Sequence, residues 1–287
     1  MPAPLRVTRT TLVASSAIRA DWVHYGGLTR EVTAETYEPR TQILLTLGGA
    51  FVYHVGRARR LVDANRVAFV LAGQTSADSH PTGGDVSCLV LTPAPALLPE
   101  LRPGLCGDRR LAITAPASVA LQIAAARWVA VLRGGPPIEP LVAEEAAIRI
   151  ATAALAGARA ASEPRDVAPS AAARLAERAK ALLAPDGQPI GLVSLARQLA
   201  VSPAYLSDAF RRAEGVSLVR YQLRLRLVRA LAALPHTEDL AALALELGFS
   251  SHSHFTTAFR TTLGLTPSQY RRQVRTAAAP ATAIQRT

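Results

Sequence analysis

Several residue types are scarce in this chain. Its 287 residues include two cysteines, Cys88 and Cys106. Two cannot build a disulfide framework or a four-cysteine zinc site, and no C-x-x-C pair marks a redox centre. No apolar run approaches the roughly 18 residues of a membrane span. The opening Met1-Pro2-Ala3-Pro4-Leu5-Arg6 lacks the apolar stretch of a secretory leader. A soluble, cytoplasmic protein is expected. Histidines are few: His24, His54 and His80 stand alone, and no His-x-His occurs before residue 252. A metal-dependent enzyme is therefore not expected, nor any cofactor. Lysine is almost missing, since Lys180 is the sole one and 31 of the 32 basic residues are arginine. Arginine suits phosphate and base stacking, but GC-rich coding favours it too, alongside alanine and proline. What matters is where the charge sits.

What is present makes a sizeable folded protein. Apolar residues are 49 % and charged residues 18 %, which excludes wholesale disorder. The net charge is +11. Residues 1–169 hold 17 basic and 14 acidic residues, whereas residues 170–287 hold 15 and 7. The excess lies in the shorter, C-terminal stretch, as binding to a phosphate backbone would require.

Three zones follow one another, and the fold class expected is α+β. Runs at 42–47, 50–55, 67–71 and 87–91 read as short strands, with turns at Gly48-Gly49, Gly56-Arg57 and Gly83-Gly84-Asp85. Strands at such spacing suggest an antiparallel barrel or sandwich over 1–115. Residues 117–132 and 141–160 have helical spacing, so 116–161 is expected to be a helical hairpin suited to dimerisation. Pro164 and Pro169 flank a linker over 162–170. A helical domain over 171–275 and a disordered tail over 276–287 complete the expected organisation.

The helical domain contains a duplication. Leu195-Ala196-x-x-Leu199-Ala200-Val201-Ser202 matches Leu243-Ala244-x-x-Leu247-Gly248-Phe249-Ser250 at an offset of 48. Leu206-x-x-x-Phe210-Arg211 and Gly215-Val216-Ser217 match Phe255-x-x-x-Phe259-Arg260 and Gly264-Leu265-Thr266 at an offset of 49. Ser202-Pro203 is an N-cap followed by proline at the first helical position, and Ser250 or Ser251 caps the equivalent helix. Gly215 and Gly264 suit left-handed helix ends. Each unit is thus a helix-turn-helix, whose second helix can read a major groove. The stretch 218–234 forms a helix of about 25 Å between them.

Residues 171–275 resemble the AraC/XylS-type DNA-binding domain. The resemblance rests on the repeat above, on Arg226-Leu227-Val228-Arg229-Ala230, and on Thr266-Pro267-Ser268-Gln269-Tyr270-Arg271. It implies a transcription regulator that binds double-stranded DNA, acts with RNA polymerase and answers to a small-molecule effector. It also implies a homodimer with an N-terminal cupin-like barrel. By resemblance, base reading falls on Ala204, Ser207 and Asp208 of the first unit and on His252, Ser253, Thr256 and Thr257 of the second. Asp208 could accept from a cytosine or pair with a nearby arginine. Arg197, Arg211, Arg212, Arg224, Arg260, Arg271 and Arg272 are the candidates for phosphate contact, which positions without specifying.

The N-terminal half carries no motif of its own. Trp22, His24, Tyr37, Tyr53 and His80 are its candidates for an effector pocket inside the barrel. His80 lies beside a turn where similar regulators often carry a histidine. Regulation without a ligand, and a redox sensor built on Cys88 and Cys106, are the alternatives.

Overall fold

The computed structural model describes residues 6–26, 31–80, 85–101, 113–135, 137–159, 170–183 and 189–277. The expected Gly83-Gly84 turn, the linker residues 162–169, Cys106 and the tail from 278 onward lie outside these. The strands are β1 (Arg6–Ala14), β2 (Ile18–Gly26), β3 (Thr36–Glu38), β4 (Gln42–Gly48), β5 (Phe51–Val55), β6 (Ala58–Val62), β7 (Arg66–Val70), β8 (Gln74–Ser79), β9 (Val86–Pro93) and β10 (Thr114–Pro116). The first helices are α1 (Leu98–Leu101), α2 (Val119–Gly134) and α3 (Pro140–Arg159). After them come α4 (Ala171–Leu183), α5 (Leu192–Gln198), α6 (Pro203–Glu214), α7 (Leu218–Ala233), α8 (Leu240–Glu246), α9 (His252–Leu263) and α10 (Pro267–Ala277). The α+β expectation holds.

The strands form two antiparallel sheets, ordered β1-β2-β9-β4-β7-β10 and β3-β8-β5-β6. Their facing sides bury Val23, Phe51, Tyr53, Val62, Ala68, Val70, Cys88 and Val90 as one core. The other side of the larger sheet, with Trp22, Ile43, Leu45, Val67, Phe69 and Leu89, packs under α2 and α3. Both sides of that sheet are therefore covered, and β7 is buried at every position. This explains why it reads as a short unbroken apolar run. Gly49 turns from β4 into β5 at φ 73°, and a Cβ there would sit 2.1 Å from the Asp85 carbonyl oxygen.

The helical half has two cores. The first helix-turn-helix unit closes on itself through Leu175, Ala179, Leu195, Leu199, Leu206, Phe210 and Tyr221. The second has no separate core. Leu243, Phe249, Phe255, Phe259 and Tyr270 join the same apolar cluster as Leu121, Ala125 and Trp128 of α2. Among the described residues, no helix is long and apolar enough to cross a membrane.

Candidate nucleic-acid interface

The two units repeat in geometry as well as in sequence. In the first, Val201 N–H donates to the Ala196 carbonyl at 3.0 Å and Ala200 N–H to that of Arg197 at 3.1 Å. In the second, Phe249 N–H donates to Ala244 at 2.9 Å and Gly248 N–H to Leu245 at 2.9 Å. This paired pattern ends a helix on a left-handed residue. Gly248 has φ 75°, and Ala200 holds the same conformation at φ 57° without being glycine. The reader helices then start alike. The Ser202 hydroxyl accepts from Tyr205 N–H, and the Ser251 hydroxyl, rather than that of Ser250, accepts from His254 N–H. They also end alike, on Gly215 at φ 71° and Gly264 at φ 79°.

Leu206, Ala209 and Phe210 anchor α6, and Phe255 and Phe259 anchor α9, all fully buried. Their i,i+4 spacing turns the remaining face outward. Ala204, Ser207, Asp208, His252, Ser253 and Thr257 are exposed, and Thr256 is half-buried. Asp208 pairs with Arg212 at 2.8 Å, so in the free protein its carboxylate is held by that arginine. The His252 Nε2 meets the Thr256 hydroxyl at 3.4 Å, and the His254 Nδ1 meets that of Ser250 at 3.0 Å. The two imidazoles thus serve separate local contacts. No group of three metal-binding side chains occurs among the described residues.

The arginines divide into two sets. Arg197, Arg211, Arg212, Arg260 and Arg272 are exposed. Arg224 is half-buried, and that burial, then neighbouring Arg220, lowers its pKa. Arg271 donates to the carbonyls of Thr237 and Glu238 at 3.0 and 3.3 Å, tying α10 to the loop before α8. Sequence reasoning passed over Arg226 as a working side chain. Its guanidinium donates to the Gly248 carbonyl at 2.9 Å and lies 4.4 Å from the Phe249 ring centre. It fixes the turn of the second unit to α7, with a cation–π contact added to the hydrogen bond.

The effector candidates do not converge. Trp22 alternates with Val23 and so faces away from the sandwich interior, under α2, with the Arg133 guanidinium 5.0 Å from its ring. His24 shares that outward parity and bonds the Ser87 hydroxyl at 2.9 Å. Tyr37, on edge strand β3, is 64 % exposed. Only Tyr53 and His80 are buried on the inner side, both against Phe51. Asp78 lies opposite Tyr53 in the β5–β8 register and was missed. It sits in a run, Gln74–Ser79, without apolar alternation. Burial raises its carboxyl to about 6. Cys88 is buried, which pushes its thiol up to about 12, the opposite of the low pKa that makes a sensing thiol reactive.

Comparison with known proteins places the helical half. Residues 195–273 match a family model described as a helix-turn-helix domain. The regulatory protein PocR of Salmonella typhimurium is 36 % identical over 84 residues, 29 % of this chain and 28 % of PocR. The HTH-type transcriptional activator RhaR of Klebsiella pneumoniae is 32 % identical over 99 residues, 34 % of this chain and 35 % of RhaR. A solved transcriptional regulator from Chromobacterium violaceum, described as having an AraC-type DNA-binding domain, is 30 % identical. It aligns over 35 % of this chain and 92 % of its own, with a TM-score of 0.33. The chain spans about a third of the length of the curated relatives it matches. Residues 195–273 are thus a helix-turn-helix domain, similar over that stretch to the corresponding part of these transcription regulators.

Proposed function

We propose that the chain is a sequence-specific DNA-binding transcription regulator, working as a cytoplasmic homodimer alongside RNA polymerase. The carrying observation is the pair of reader helices, each capped, anchored by a buried face and presenting polar side chains outward. Bases are read by Ala204, Ser207, Asp208, His252, Ser253, Thr256 and Thr257. Arg197, Arg211, Arg212, Arg260 and Arg272 hold phosphates. Serine and threonine discriminate bases weakly, so DNA shape supplies part of the specificity. Asp208 exchanges its Arg212 partner for a base edge or stays out of the contact. The test is selection of bound duplexes from a random pool by the full chain, followed by gel shift. Enrichment of one sequence supports the reading, and binding no tighter than to random DNA overturns it.

The sandwich is proposed as the effector domain. The Asp78 Oδ1 and His80 Nδ1 are buried and lack a hydrogen-bond partner among the described residues. Such atoms cost free energy unless a ligand supplies the missing partner, which points to a small polar effector. Thermal shift of the full chain against metabolite pools tests this. Control without a ligand predicts no shift. For dimerisation, α3 offers Leu141 and Val142, 66 % and 48 % exposed. Light scattering checks the mass, and replacing both by serine is expected to yield monomer.

A further inference from the structure

The two helix-turn-helix units are attached to the rest of the molecule by opposite chemistry. The second shares a continuous apolar core with α2. The first keeps its core to itself and meets the sheets through polar and charged groups. At the centre is Lys180 on α4, fully buried, with Nζ 2.7 Å from Glu177 and 2.9 Å from Glu214. Glu214 is the last residue of reader helix α6. Its other oxygen pairs with Arg66 of β7 at 2.9 Å, and Arg66 is held from behind by the Thr114 hydroxyl at 3.0 Å. Glu177 accepts the Leu61 backbone N–H at 2.7 Å. The Tyr221 hydroxyl at the start of α7 donates to Asp63 at 2.7 Å, and the Asn65 amide donates to the Tyr221 carbonyl at 3.1 Å.

On the sheet side, every one of these contacts comes from the short stretch 61–66, which runs from the end of β6 to the first residue of β7. These strands belong to different sheets, so the stretch bridges the two layers of the sandwich. Ionic groups buried this way gain little over their hydration and exchange readily for water when separated. Apolar surface gains in proportion to the area removed from water and loses all of it on separation. Tyr221 itself packs edge-on against Phe210, 5.3 Å between ring centres. The first unit would therefore move as one body with the start of α7.

We propose that the Arg66–Glu214–Lys180 cluster is a releasable latch: the first reader unit detaches from the sandwich as a body, hinging in α7, while the second stays docked. Release alters the placement of α6 relative to α9, and thereby whether both reader helices meet successive groove turns. This consequence for DNA rests on the regulator reading above, whereas the opening itself does not.

Lys180 gives the experiment a single side-chain reporter, because it is the one lysine of the sequence. The full chain is treated with an amine-acylating reagent at pH 8 and followed by mass spectrometry, with hydrogen exchange measured in parallel. In the unaltered protein, exchange over 171–183 and 203–214 is expected to exceed that over 252–263 at least tenfold. Glu214→Gln and, from the sheet side, Arg66→Gln should each speed Lys180 acylation at least tenfold and leave exchange over 252–263 unchanged. Equal protection of the two units overturns the latch, as does a variant that loosens both alike. Arg66→Gln leaves the helical half intact, so it keeps the test decisive where Glu214→Gln fails to fold. On selected DNA, either variant should change the length of the protected footprint. A chain that binds no sequence specifically overturns the regulator reading, while the acylation and exchange results still decide the latch.

Discussion

Asp78 shows how much one side chain can cost. Burial raises its carboxyl to about 6 from the roughly 3.9 of an exposed aspartate, and its Oδ1 lacks a hydrogen-bond partner among the described residues. A carboxyl whose folded pKa is raised stabilises most when protonated. That contribution is complete below the unfolded value and is lost as pH climbs through 6. Folding stability should fall by about 1.4 kcal/mol from this group between pH 5 and 7.5. Asp78→Asn should flatten that slope in urea titrations at the two pH values, and an unchanged slope would place the pH dependence elsewhere. The effector candidates show at the same scale what could not be read. Trp22 and Val23 are both buried, because helices cover one side of the sheet and the second sheet covers the other. Alternation of apolar and polar residues, the usual sign of which side faces a core, is erased. Trp22 and His24 are therefore indistinguishable in sequence from residues lining the interior.

At the level of the element, the helix-turn-helix turn makes its own comparison. Ala200 and Gly248 occupy one position of the repeat, both left-handed. An alanine there carries about 1–2 kcal/mol of backbone strain, and glycine removes it at an unfolded-state cost of about 0.4–1 kcal/mol. Ala200→Gly should thus stabilise the chain by about 0.5 kcal/mol, and Gly248→Ala should destabilise it by about 1 kcal/mol. Chemical denaturation checks both, and equal effects of like sign would show that the two turns are not equivalent. Turns, caps and i,i+4 pairs lie within a few residues of each other, so the helical repeat was legible in sequence. Strands β1, β2, β3, β6, β8 and β10 were not. Arg6–Ala14 is largely exposed on the edge of its sheet and interleaves arginine with threonine. Gln74–Ser79 has one buried apolar residue, Ala77. These segments become strands because neighbours offer them a ladder, which no local pattern announces.

Across the whole molecule, charge is the feature the sequence announced and the structure subdivided. Only part of the arginine excess is exposed for phosphate. Arg66, Arg226 and Arg271 are spent inside, on Glu214, Gly248 and the loop before α8. Arg212→Ala and Arg260→Ala should each weaken binding to all duplexes alike and lower the salt slope by about 1. Arg271→Ala should instead lower stability and leave that slope nearly unchanged. Gel shifts over a range of salt concentrations separate the two outcomes. The latch residues were out of reach for a related reason: Arg66, Lys180 and Glu214 are far apart in the chain, the fold of the first unit brings Lys180 to Glu214, and only docking brings Arg66 to them. The one hint was the solitary lysine in an arginine-rich protein.

The inequality of the two reader helices has a consequence for geometry on DNA. One presents Ala204, Ser207 and Asp208, the other His252, Ser253, Thr256 and Thr257, and a single helix fixes their order. A site read by such a pair has a left and a right end. One chain can sit on it in one polarity only, so turning the site around relative to a start of transcription turns the protein around with it. The sandwich and whatever it touches would then face upstream instead of down.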